Sequence, residues 1–109
     1  MSNAAPGPEI FLDLVEGLVQ QSMRLSRLQA ALLIARALAI ASDSRTFTKL
    51  FGVEHALVLR ELNLLTAGDG LLVITKKDPR LLRSHFDLTT SAQTMLISLE
   101  GFQPPPPEE

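Results

Sequence analysis

Four cations, Lys76, Lys77, Arg80 and Arg83, fall within eight residues, and His85 follows closely. Pro79 sits among them and fixes a turn. The apolar, partly β-branched run Leu71–Thr75 reads as a strand before the group, and Ser84–Leu88 reads as a returning strand after it. Cations on the tip of such a hairpin suit contact with a phosphate backbone or with a minor groove. The competing reading is an ordinary solvated loop.

A second set lies just upstream. A helix is expected from about Glu54 to Thr66, with Val58, Leu62 and Leu65 on its inward stripe. Its outward positions then include His55, Arg60 and Asn63. An arginine can read guanine and an asparagine adenine. The same helix carries Leu57, Leu59 and Leu64, and exposed leucines more often meet a protein. Glu54 and Glu61 also offer Arg60 a salt bridge instead. Arg45 and Lys49 flank a short helix over Phe47–Phe51, capped by Thr46 and stopped at Gly52. That helix, a turn and the next helix make a tight pair whose second member can project into a major groove. Arg45 and Lys49 would then meet the DNA backbone, with simple solubility as the alternative.

Other chemistries find no support. There is no Cys, which removes disulfides, thiolate metal sites and cysteine catalysis. No Ser/His/Asp set stands at a motif spacing, no phosphate loop is present, and His55 and His85 do not make a metal site. The chain is therefore not expected to be an enzyme, and no cofactor is expected. The longest apolar candidate for a membrane span, Ala30–Ala41, is interrupted by Arg36 and is too short. No secretory leader pattern is visible, and the expected compartment is the cytoplasm.

Charge is segregated. The net charge is −2, yet all ten basic residues lie between Arg24 and Arg83, a stretch with only five acids. A polyanion responds to such a local field rather than to the total.

The remaining elements must position these groups. Ile10, Phe11, Leu14, Val15, Leu18 and Val19 recur at helical spacing from Glu9 to about Met23. Ser26 can cap a second helix, apolar nearly all round and hence buried, ending near Asp43–Ser44. A last helix is expected over Thr89–Glu100, with Ala92, Met95, Leu96 and Leu99 apolar. Residues 1–7 read as a disordered start and 102–109 as a Pro-rich acidic tail. One domain over residues 8–101 results, with its DNA-contacting core at about 26–89. The fold class is mainly α with a small β-hairpin.

Over roughly residues 26–100 the chain resembles the MarR-type winged-helix regulators, with PadR-type relatives as a second match. The resemblance rests on Phe47-Thr48-Lys49-Leu50-Phe51-Gly52-Val53, on Val58, Arg60, Leu62 and Leu65, and on Gly70-Leu71-Leu72. It continues through Asp78, Arg80 and Arg83 to Leu88-Thr89. Leu81 stands where the family usually has a second Asp, and Ala92 where it has Gly. The resemblance implies a winged helix-turn-helix with extra N- and C-terminal dimerisation helices. It implies a homodimeric transcriptional regulator on double-stranded DNA, and it nominates Arg83 first for DNA contact. Such regulators often sense small aromatic effectors, although no ligand residue is matched here. The expected dimer surface comprises Ile10, Phe11, Leu14, Val15, Leu18, Met95 and Leu99. Packing of both helices within one chain is the alternative. So is a winged helix that binds only protein.

Overall fold

A computed structural model describes residues 8–68 and 70–103. The expected disordered start, and the tail beyond residue 103, lie outside the described residues. The elements are α1 (Pro8–Gln21), α2 (Arg27–Ala37), α3 (Ser44–Phe51), α4 (His55–Thr66), β1 (Leu72–Asp78), β2 (Arg83–Leu88) and α5 (Thr90–Ile97). The fold is α+β: five helices and one antiparallel hairpin among the described residues.

Helix α2 is the centre of the core. Ala30, Leu32, Leu33, Ile34 and Ala35 are fully buried along it, as its all-round apolar character requires. Ser26 opens it with a capping box: its hydroxyl accepts from Gln29 N–H, while Gln29 Oε1 accepts from Ser26 N–H. The helix stops at Ala37, well before the expected Asp43–Ser44. There Ala39 turns to a left-handed φ of 61°, and the N–H groups of Ile40 and Ala41 both fold back to Ala35 O. The apolar run continues past the helix because Ala41 and Ile40 still pack on the core from an irregular segment.

That segment changes the start of α3. Asp43, rather than Thr46, is the N-cap, and its Oδ2 accepts from Thr46 N–H at 2.9 Å. The stretch before α3 also lies along the outer edge of β2. Phe86 N–H donates to Ser42 O at 2.9 Å, and Asp43 forms an isolated antiparallel bridge with His85. An otherwise open strand edge is partly covered in this way. Arg36 braces the same strand from α2, donating to Phe86 O and pairing with Asp87 at 3.0 Å.

The strands run further into the basic stretch than the sequence suggests. Lys76 and Lys77 belong to β1, and only Pro79–Leu82 form the tip. A bulge at Thr75 interrupts the register between Ile74↔Phe86 and Lys76↔His85. The extra residue inverts the alternation. Lys76 therefore shares a face with His85, and Lys77 shares the opposite face with buried Ser84.

The expected dimer surface needs correction. Phe11, Leu14, Val15, Leu18 and Leu99 are all buried within the single chain, with Leu18 wholly inaccessible. Phe11 stacks on Phe51 of α3 at 5.1 Å between centroids. Of the seven named residues, Ile10 is exposed and Met95 is half-buried. Intramolecular packing has consumed the others. Phe102, placed in the tail by the sequence, packs against the same core.

Candidate nucleic-acid interface

Helices α3 and α4 meet at Gly52, whose φ of 67° is left-handed and caps α3 by returning its N–H to Thr48 O. The turn lets α4 leave at once in a new direction. Val58, Leu62 and Leu65 face the core, while Ala56, Arg60, Asn63 and Leu64 are exposed. Leu59, unexpected on an outward face, is half-buried against the core. The hairpin lies beside α4. An open groove between them is lined by Leu59 and Asn63 from the helix and by Ile74, Lys77 and Leu82 from the hairpin.

The cations of α3, α4 and the hairpin, with Arg36, fall into two groups. Lys49, Lys76, Lys77 and Arg80 are exposed, and no ion pair among the described residues engages them. Arg36, Arg45, Arg60 and Arg83 are tied into the structure. Arg83 Nε is buried 3.4 Å from Asp43 Oδ2, an ion pair without hydrogen-bond geometry. Arg83, the first nominee for DNA contact, is thus anchored where β2 leaves the hairpin tip. Arg45 donates from Nε to Leu81 O at 3.0 Å and fastens α3 to the hairpin tip. Arg60 stays largely exposed but lies 3.3 Å from Glu61 Oε2. Glu61 is itself buried and accepts from Gln29 Nε2 at 2.8 Å. The salt bridge weighed for Arg60 is present.

Beneath the cations runs a polar relay that the sequence did not reveal. Ser44 is wholly buried. Its Oγ accepts from Ser84 N–H at 3.0 Å and lies 3.0 Å from His55 Nε2. One hydroxyl so joins the first residue of α3, the first residue of α4 and the second residue of β2. His55 is therefore a structural contact, half-buried, rather than an outward reader. Burial, reinforced by the Arg45 charge and opposed by Asp43, holds its pKa below the ordinary histidine value. Asp43 moves downward too. Burial pushes its carboxyl up, but the Thr46 hydrogen bonds and the charges of Arg83 and His85 together outweigh that. The contacts from Ser44 span 40 positions to Ser84 and 11 to His55, so no local pattern announces them.

The arrangement offers free cations on a braced hairpin, beside a helix with an exposed amide and guanidinium. It suits a polyanion with hydrogen-bonding edges. No helix among the described residues is long and apolar enough to cross a membrane. No family model, curated protein or solved structure matches this chain.

Proposed function

We propose that the chain is a winged helix-turn-helix module that binds double-stranded DNA as a homodimer and regulates transcription. In this reading α3 and α4 are the helix-turn-helix, α4 enters the major groove, and the β1–β2 hairpin is the wing. The observation that carries it is the hairpin: Lys76, Lys77 and Arg80 are exposed and unpaired among the described residues, and Lys77 shares with Asn63 of α4 the groove between hairpin and helix. Arg45 and Arg83 act by fixing the wing, Lys49 by meeting the backbone, and Asn63 and Arg60 by reaching base edges.

A salt series of gel shifts tests this. Affinity falls steeply with salt, and the Lys76→Ala, Lys77→Ala, Arg80→Ala triple variant binds all sequences more weakly. Its log–log salt slope is shallower by about one for each phosphate contact removed. An unchanged slope in a folded triple variant removes the wing from the interface.

One observation favours a second reading, a protein-interaction module. Leu57 and Leu64 are exposed on α4. Retention of a protein partner, lost in Leu64→Asp, with no DNA retained at low salt, would select it.

A further inference from the structure

Hairpin loops ordinarily place Gly or Asn where the backbone turns left-handed. Here Leu82 occupies such a position, at φ 53°. Leu81 and Leu82 are 50% and 60% exposed, at the tip of a hairpin that also exposes Lys76, Lys77 and Arg80. Neither the turn nor the core requires a leucine at position 81 or 82.

The tip is held rather than loose. Arg45 Nε donates to Leu81 O, Arg80 N–H donates to Asp78 Oδ1 at 3.2 Å, and Arg83 is anchored beside Asp43. Two large apolar residues are thus carried on a held backbone between Arg80 and Arg83. Apolar wedges flanked by cations are how proteins part a base step from the minor groove and kink the duplex.

We propose that Leu81 and Leu82 form an apolar wedge that enters the minor groove, unstacks one base step and bends the bound duplex. The inference rests on the DNA-binding reading and adds a mode of recognition to it. The wedge would favour flexible pyrimidine–purine steps, where unstacking costs least. A duplex is the occupant because Asn63 and Lys77 line the groove beside Leu82. An amide and an ammonium there fit base edges and phosphates, whereas a lipid surface offers the amide no matching pattern.

The experiment uses the full chain and a short duplex with a central TA step, a fluorophore pair at its ends and 2-aminopurine beside the step. Binding of the unaltered protein shortens the end-to-end distance and brightens the 2-aminopurine. Leu81→Ala/Leu82→Ala binds with the same salt slope and an affinity lower by about tenfold or less, and gives neither signal. Leu82→Asn, which suits the left-handed backbone, keeps the fold and loses part of the bend, whereas Leu81→Met, which keeps a large apolar side chain, bends the duplex as the unaltered protein does. Binding without bending by the unaltered protein, or undiminished bending by the double variant, overturns the wedge and leaves DNA binding standing. No binding to any duplex at low salt removes the DNA reading and the wedge together. Leucine-dependent binding to phosphatidylserine vesicles in place of DNA overturns the wedge in favour of a membrane surface.

Discussion

At the residue scale the decisive group is the Ser44 hydroxyl. Its oxygen satisfies the Ser84 N–H in a place that water does not reach, since Ser44 is wholly buried. Ser44→Ala strands that donor and costs about 1–3 kcal/mol, measured as a lower urea midpoint with an unchanged m-value. His55 makes the same contact sensitive to pH. A neutral ring can accept the Ser44 proton at Nε2, whereas a charged ring presents N–H there, so that the Ser44 oxygen faces two donors and its own proton loses its acceptor. Its folded pKa is depressed, so the unfolded chain binds the proton more readily. Stability is therefore full above about pH 6.5 and is lost as pH falls from there through the folded value. Denaturation midpoints taken from about pH 7.5 to 5 decline for the unaltered chain, and His55→Gln flattens that decline. A parallel decline in both proteins would assign the effect to another group. Asp43 acts in a separate window: its depressed pKa adds stability that disappears only below about pH 4. Arg83 shows why such roles escape a sequence reading. A cation in a basic run looks available, and the carboxylate that claims it lies on another element, 40 positions away.

At the scale of elements, most of the helices and both strands were legible because each carries its own period and punctuation. Helix α4 and the two strands stand within a few residues of their expected places. The end of α2 was not legible. Leu38-Ala39-Ile40-Ala41 continues an apolar pattern that a helix would also show, and only packing decides that Ala39 turns left-handed. The misplaced end hid Asp43 as the cap of α3, and with it the strand-edge cover and the Arg83 anchor. The Thr75 bulge was likewise invisible, and it sets Lys76 opposite His85 and Lys77 opposite Ser84, where an unbroken register would set Lys76 opposite Ser84. Two glycines test how the elements are joined. A Cβ on Gly52 meets nothing within 4 Å, so Gly52→Ala pays only for the left-handed backbone, about 1 kcal/mol. A Cβ on Gly70 would collide with Leu65 O, a backbone atom of α4. Gly70→Ala must move the strand entry away from the helix and lowers Tm by clearly more than Gly52→Ala does. Equal losses would mean that the α4–β1 junction yields without cost to a Cβ at position 70.

At the scale of the whole molecule the proposed homodimer turns on which surface one copy would offer another. The α1 stripe that suggested a dimer is spent on the core, and its exposed apolar remnants stand on either flank, at Ile10 and Leu12. Leu12 borders an open groove with Leu28, Phe51 and Val53, while Ile97 of α5 is exposed at the other end of the chain. A single copy measures about 40 × 31 × 29 Å. In the proposed homodimer the two α4 helices would stand one duplex turn, ~34 Å, apart on successive major-groove faces. Selection from random duplexes should then return inverted repeats with half-sites about 10–10.5 base pairs apart, or a multiple of that. Ile10→Asp and Leu12→Asp, made separately, divide the two flanks of α1. The substitution on the paired flank yields a monomer in sedimentation and abolishes the advantage of the repeat over a single half-site, while leaving single-site affinity intact. If both variants sediment as the unaltered chain does, α1 has no part in pairing. If selection returns single sites without symmetry, the protein works on DNA as one copy.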